Sequence, residues 1–547
     1  MLIKSVVSSI FLILYTILLG SIVFLKLLWF LQILQIEEYY TKKFYLWLFK
    51  NWKKVFLEDS ALVLLIVLNI VFFVIWKDET KYTLLTQIIF ILIAGITFVY
   101  NLSLGFKRQK YAKKKLVFTK RLIRLFLANT IFLLGFYFVL TKGFYSYQNF
   151  SWVLPCLLIL LLPFITMFIN LAMLPIEEPI NNFYFEDAKR KLGSLNPFIV
   201  AITGSYGKTS TKYFIAQILQ SKYNVLMTPE SYNTAMGITK VIRLNLNSEH
   251  KIFVVELAEN EKGGFKRLLN LINPNVSVVT SVGIQHLEEF GTEEKIKDAI
   301  GYFVKKSIES EKCEAIVVNA DIDIISQIES KNSKVKKCSI DTISDFYAKQ
   351  VKTSPKGTKF YLCKKNGEKV LCTTKILGKE NVRNIILASS VADVLGFSIE
   401  EISKAIENLH SPPHRLELID NGTGILIIDD AYNSNPVGAR MAADVLSKFT
   451  NGRKILVTPG LVELGKLEYE ENKKIGQYFA KRVDYVFLVG KERTKPIYEG
   501  LLQENFPQDK IFINANLGET TEVLKSFLKP GDSILFENDL PDTYEEI

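Results

Sequence analysis

Residues 198–211 read FIVAITGSYGKTST. The first six are apolar and rich in β-branched side chains, as in a strand buried on both faces. GSYG follows with two glycines, and KTSTKYFIAQILQ then repeats its apolar residues at helical spacing. Strand, glycine-rich turn and helix predict a loop whose backbone N–H groups and helix N-terminus cradle phosphate. The spacing differs from the common phosphate loop. G-x-x-x-x-G-K-[ST] ending at Lys208-Thr209 needs a glycine at 202, where the chain has Ile202, and the nearest upstream glycine is Gly204. In such a loop Lys208 pairs β- and γ-phosphate oxygens and Thr209 reaches Mg²⁺.

Upstream of this turn the composition changes. The chain has 547 residues, 49% of them hydrophobic, and up to about residue 175 long apolar runs alternate with short charged ones. Five runs are candidate membrane spans: residues 5–25, extendable toward 34, then 61–76, 84–102, 122–140 and 152–174. The second is short for a crossing. A cleaved signal peptide accounts for the first run only.

The formal net charge is +11, but residues 1–175 hold 19 Lys and Arg against 6 Asp and Glu, while the rest holds 48 against 50. The excess belongs to the membrane half, which argues against nucleic acid as a partner. Lys42, Lys43, Lys50, Lys53 and Lys54 follow the first run, and eight Lys and Arg between 107 and 121 follow the third. The loops after the second and fourth runs are weakly charged. By the positive-inside rule the heavily basic loops are cytoplasmic, which predicts an outside N-terminus and a cytoplasmic chain beyond residue 175. FYLWLFKNWKKVF, residues 44–56, mixes aromatics with lysines and suits either an interfacial helix or a plain cytoplasmic loop. The spans hold no central acid or histidine, so they read as an anchor in contact with lipid rather than a transport path. Cys156, Cys313, Cys338, Cys363 and Cys372 form no C-x-x-C pair, which fits a reducing compartment without a disulfide or zinc framework.

TGSYGKTST resembles the T-G-[ST]-x-G-K-[ST]-[ST] loop of the Mur ligase family, and later segments resemble that family's motifs in its order. They are TPESYNTAMGI (228–238), FVVELAEN (253–260), VVTSVGIQHLEEFGT (278–292), GKENVRN (378–384), IIDDAYNSNPVGAR (427–440) and TPGLVELG (458–465). The resemblance spans about residues 180–547 and is strongest to the D-alanyl-D-alanine-adding branch. It implies an ATP-dependent, ADP-forming amide ligase of peptidoglycan precursor synthesis, using Mg²⁺. A carboxylate would be phosphorylated by ATP and an amine would attack the acyl phosphate.

The resemblance also implies roles for individual residues. Gly204, Ser205, Gly207, Lys208, Thr209 and Ser210 would hold phosphate. Thr209, Glu256 and His286 would hold metal, with Lys208, Glu256 and His286 as the catalytic set. Asn381 would meet the base, and Arg415 and Asp430 would approach ATP from the last domain. Tyr432, Asn433 and Asn435 would shape that site, although turn chemistry alone also accounts for Asn433-Ser434-Asn435-Pro436.

Some positions depart from the family pattern. Ungapped alignment places Ile300 where the family usually has a metal-bridging, carbamylated lysine, and Lys297 lies one helical turn earlier. Ser281 stands for Asn, Glu380 for His, and Glu537-Asn538 for Lys-Gly. The family's usual soluble, UDP-sugar-binding first domain is replaced by the apolar runs. The expected architecture is an α-helical transmembrane bundle (1–175), an α/β phosphate-loop ATPase domain (185–412) and a Rossmann-like α/β domain (413–547), working across the cleft between the last two. The partners implied are a carboxylate-bearing cell-wall precursor, UDP-linked or lipid-linked, and an amino acid or dipeptide. A catalytically altered membrane scaffold or regulator of envelope synthesis is the alternative.

Overall fold

Apolar side chains on every face of a helix leave it no stable place but a core or a membrane. The computed structural model describes residues 2–75, 84–112, 114–143, 150–230, 232–258, 263–282, 293–320, 333–432 and 434–540. It divides into two compact units, residues 1–180 and 181–540.

The first unit is helical. Leu2–Ile36, Leu84–Tyr111, Lys120–Gly143 and Phe150–Ala172 each contain a stretch long and apolar enough to cross a bilayer. Ser60–Ile75 has 16 residues, about 24 Å at 1.5 Å per residue, which is shorter than a typical hydrocarbon core. Residue 76, the expected end of that span, lies outside the described residues. Polar side chains within these helices bond back to their own backbone. Asn69 donates to Leu65 O at 2.8 Å, Asn129 to Leu125 O at 2.8 Å and Thr166 to Leu162 O at 2.8 Å. The 44–56 segment forms two short helices, Thr41–Lys50 and Trp52–Phe56. Phe44, Trp47 and Leu48 pack on Trp29 and Phe30, while Leu46, Phe49 and Trp52 are exposed. Apolar residues thus lie both against the neighbouring helices and on the exposed side, with lysines between them.

In the second unit, a nine-stranded sheet is built from β1 (Phe198–Thr203), β2 (Val225–Met227), β3 (Ile252–Glu256), β4 (Val276–Val279), β5 (Ala315–Asn319), β6 (Val335–Ile340), β7 (Phe346–Ser354), β8 (Gly357–Lys364) and β9 (Lys369–Thr374). The order is β2-β3-β1-β4-β5-β6-β7-β8-β9. All neighbours from β2 to β7 are parallel, and β7, β8 and β9 form an antiparallel meander. Helices Lys208–Gln220 and Lys379–Val394 cover one face. Ala235–Leu244, Gly264–Leu271 and Glu293–Glu309 cover the other.

A six-stranded sheet follows, made of β10 (Glu417–Asp420), β11 (Leu426–Asp430), β12 (Lys454–Thr458), β13 (Tyr485–Val489), β14 (Ile511–Asn514) and β15 (Ser533–Glu537). Its order is β10-β11-β15-β12-β13-β14, and only β10 is antiparallel. The runs GILIIDD, KILVTP, DYVFLVG and DSILFEN are the parallel strands β11, β12, β13 and β15.

Candidate active site

From β1 the chain runs one way to β2 and β3 and then crosses back to β4, so β1 lies where the winding reverses. In open parallel sheets the crevice beyond the strand ends at that point is the usual ligand site. The 204–207 turn occupies it. Gly204 has φ +137°, and a Cβ there would lie 2.3 Å from Thr280 Oγ1; Gly207 has φ +78°, and its Cβ would lie 2.5 Å from Asn384 Oδ1. A side chain at 204 would also meet the Ser281 backbone at 2.8 Å, and at either position it would be strained by the positive φ.

Ser281 holds the turn. Its carbonyl accepts from Ser205 N at 2.8 Å and its hydroxyl accepts from Tyr206 N at 2.7 Å. Thr280 donates to Tyr206 O at 2.5 Å. The departure at 281 therefore keeps a polar group that serves the loop. Lys208 Nζ lies across the turn, donating to Gly204 O at 2.6 Å and Ser205 O at 3.0 Å. Burial pulls its pKa down to about 8, against the upward pull of Glu256.

Glu256 ends β3 and is 2% exposed. Thr209 Oγ1 donates to its Oε2 at 3.0 Å and Asn233 Nδ2 to its Oε1 at 3.0 Å. Lys212 Nζ lies 3.3 Å from Oε2 and donates to Glu230 O at 2.6 Å. Burial pushes the carboxyl up, but Lys212, Lys208 and the two hydrogen bonds outweigh it and hold it below the usual carboxylate range. Lys212 and Asn233 are the functional neighbours that sequence reasoning missed. A lysine at 212 shares a helical stripe with Ile215, Ala216 and Leu219, all core residues, and that misplaced charge was the available signal.

The other wall comes from the six-stranded sheet. A cleft of about 1010 Å³ brings Gly207, Ser210 and Asn381 together with Arg415, Asp430, Ser434 and Asn435. Asn381 donates to Leu377 O at 2.9 Å. Asp430 ends β11 and accepts from Leu416 N at 3.0 Å; burial raises its pKa to about 6, against Arg415. The Arg415 guanidinium lies 4.4 Å from the centre of the Tyr432 ring. Asn435 caps the helix Pro436–Leu446, accepting from Val437 N at 3.1 Å and Gly438 N at 2.9 Å, so turn chemistry explains it. Asn433 and His286 lie outside the described residues.

Ile300 packs in the core beside Phe303 and Val304, whereas Lys297 lines the cleft. Glu380 pairs with Arg383. Glu537, at the end of β15, is the register partner of Asp430. It accepts hydroxyl bonds from Ser434 and, at 2.7 Å, from Thr458. Burial raises its pKa to about 7, against those two hydroxyls. Asn538 accepts from Ser434 N at 3.1 Å and donates to Gly460 O at 2.6 Å, clasping the same turn.

The residues present fit Mg²⁺ with a nucleotide. Glu256 and Thr209 offer hard oxygen donors 3.0 Å apart, the type this ion takes, beside a turn poised for phosphate. Among the described residues no cluster of three or more His, Cys, Asp or Glu has metal-ligand geometry.

Two family models match the chain. One is described as Mur ligase middle domain and covers residues 202–392; the other is described as Mur ligase, glutamate ligase domain and covers 414–537. The chain is 29% identical over 362 residues to the UDP-N-acetylmuramoyl-tripeptide–D-alanyl-D-alanine ligase of Bacillus subtilis (strain 168), covering 66% of this chain and 77% of that protein. The Escherichia coli (strain K12) protein of the same name is 28% identical over 332 residues, covering 58% and 72%. Among solved structures, MurF from Acinetobacter baumannii (crystal structure II) has a TM-score of 0.59 at 25% identity, covering 66% of this chain and 78% of that one. MurF from Thermotoga maritima, solved in complex with ADP, shares the fold with a TM-score of 0.58 at 24% identity, covering 66% and 81%. Residues 1–201 lie outside both family matches.

Proposed function

Because the chain belongs to the Mur ligase family of ATP-dependent peptide ligases of cell-wall precursor synthesis, we propose that it joins a carboxylate-bearing precursor to an amino acid or dipeptide at the cytoplasmic face of the membrane. The observation that carries this reading is the Thr209–Glu256 pair at the phosphate turn, whose neighbours Gly207 and Ser210 line one cleft with Arg415 and Asp430. The γ-phosphoryl group of ATP passes to a carboxylate oxygen and ADP leaves. The amine then attacks the acyl carbon, the C–O bond to phosphate breaks, and the amine gives up a proton. Phosphoryl transfer depends mainly on positioning and charge neutralisation.

Each residue has a part in that scheme. Lys208 binds β- and γ-oxygens once it leaves the carbonyls of its own turn. Thr209 and Glu256 would hold Mg²⁺, which when bound would neutralise charge developing on the phosphates. His286 would be a further ligand. Gly204, Ser205, Gly207 and Ser210 shape the cradle, Asn381 meets the base, and Arg415 and Asp430 hold nucleotide from the second wall. Bringing both walls onto one substrate excludes water from the acyl phosphate.

The four long apolar helices support a multi-pass membrane protein, and the alternating basic loops support a cytoplasmic site. An anchored enzyme suits an acceptor carried on a lipid, while a UDP-linked acceptor would make the anchor a means of localisation. The test is release of ADP and phosphate by the full chain in detergent, screened against amino acids and dipeptides with both acceptor types in parallel. Acceptor-dependent ADP is expected, and Lys208→Ala should reduce it by about 100-fold or more. AMP and pyrophosphate, or an unaffected Lys208→Ala, would overturn the reading. Burial of Ile300 favours a second reading, a membrane scaffold that binds ATP without turnover. Nucleotide binding with no acceptor-stimulated ADP would select it.

A further inference from the structure

Lys212 has no part in the scheme above, yet its side chain is wholly buried, at 0% exposure, against the carboxylate placed at the metal. A buried ammonium is costly unless it is paired and hydrogen-bonded. Here the partners are the Glu256 carboxylate at 3.3 Å and the Glu230 carbonyl at 2.6 Å. Glu230 has φ +41°, a left-handed conformation that a non-glycine residue adopts only when its surroundings impose it. Asn233 thus supplies one donor to Glu256, and Glu230 one acceptor to Lys212. Both oxygens of Glu256 are engaged before any metal arrives: Oε2 by Thr209 and Lys212, Oε1 by Asn233.

We infer that Lys212 is a built-in countercation of Glu256, which makes divalent-metal binding at that carboxylate depend on the phosphate of a bound nucleotide. The inference rests on the ligase reading. The Glu256–Lys212 pair is neutral, and Lys208 adds a further positive charge beside it. A bare divalent ion approaching Oε2 meets an ammonium with no route to water, and repulsion between such neighbours in a dry site is strong. Polyphosphate laid along the 204–209 turn reverses the sign of the local field. The metal then enters as a partner of the nucleotide. Lys212 acts through Glu256 and is a positioning residue.

The test measures Mn²⁺ binding to the full chain in detergent by electron paramagnetic resonance, without nucleotide and with ADP. Two variants remove the charge: Lys212→Gln keeps hydrogen-bonding capacity, and Lys212→Met keeps length. Lys212→Arg keeps the charge. Without nucleotide, Lys212→Gln and Lys212→Met should bind Mn²⁺ at least about tenfold more tightly than the wild type, and Lys212→Arg should stay weak. A lysine that merely anchors the 230 carbonyl would leave this affinity unmoved. If an uncharged variant melts early, Mn²⁺ alone should raise its melting temperature more than it raises that of the wild type. Equal Mn²⁺ affinity, or no such metal rescue, overturns the role of Lys212. A wild type that binds neither ADP nor Mn²⁺ in the presence of ADP overturns the ligase reading instead.

Discussion

Glu537 stands where the family resemblance leads one to expect a lysine, and its surroundings make it an acid that titrates near neutrality. Its ordinary value is 4.5 and burial raises it to about 7. The folded state therefore favours the protonated form. Its stabilising contribution is full below the unfolded pKa and is lost as pH rises through about 7. Asp430, raised from 3.8 to about 6 by burial, acts in the same direction. The melting temperature of the full chain should fall between pH 5 and 8, and Glu537→Gln should flatten most of that fall. The loss at full ionisation is on the order of 3 kcal/mol. Equal pH slopes for wild type and variant would show that Glu537 does not titrate there. The strand–turn–helix around Lys208 and Thr209 was legible in the sequence, and so was the place of Glu256 at the end of a buried strand. Lys212 was not, because an isolated lysine in an amphipathic helix is ordinarily solvated, and only the fold shows that its stripe faces inward. Lys297 and Ile300 likewise needed the helix's orientation: one lines the cleft and the other fills the core.

The turn after β1 leaves no room for a small change at its first glycine. Gly204→Ala would demand a left-handed backbone from an L-residue and place a methyl carbon 2.3 Å from Thr280 Oγ1, with Ser281 O at 2.8 Å. The turn must shift, so ATP affinity should drop by about tenfold or more and stability by about 2 kcal/mol. Isothermal titration with ATP and a denaturant melt check this; unchanged binding would show the turn to be more pliant than its packing suggests. Buried parallel strands such as β1, β3 and β11 were readable as apolar runs. The β7–β8–β9 meander was not: β7 and β8 interleave lysines and threonines, and β9 alternates buried and exposed residues, so none reads as a core strand. The short Ser60–Ile75 helix was readable as apolar, but its length against a bilayer was already marginal in the sequence.

Charge is partitioned across the whole molecule, with the excess of Lys and Arg confined to the first 175 residues. The orientation it implies can be tested with one reporter. The five native cysteines are buried, so Lys115→Cys places a thiol on an exposed basic loop with little background. In intact cells a membrane-impermeant maleimide should leave it unlabelled and should label it after permeabilisation. Labelling in intact cells would place this loop, and by the alternation of loops the ligase half, outside. The strands that carry the 198–211, 253–260 and 427–440 motifs were legible as apolar runs ending in polar residues. The polar clasp of Glu537 and Asn538 on Ser434 was not, since it joins residues 103 and 104 positions apart.

The fifteenth strand in chain order, β15, lies at the middle of the six-stranded sheet, between β11 and β12. During synthesis the helices of the first unit and the nine-stranded sheet can leave the ribosome long before residues 533–537 do. Until then β11 and β12 have no partner between them, and Asp430 has no wall to stand on. A nascent chain can therefore be seated in the bilayer and hold a formed phosphate turn while the second wall of its cleft is missing. The order of translation therefore leaves the centre of the six-stranded sheet until last.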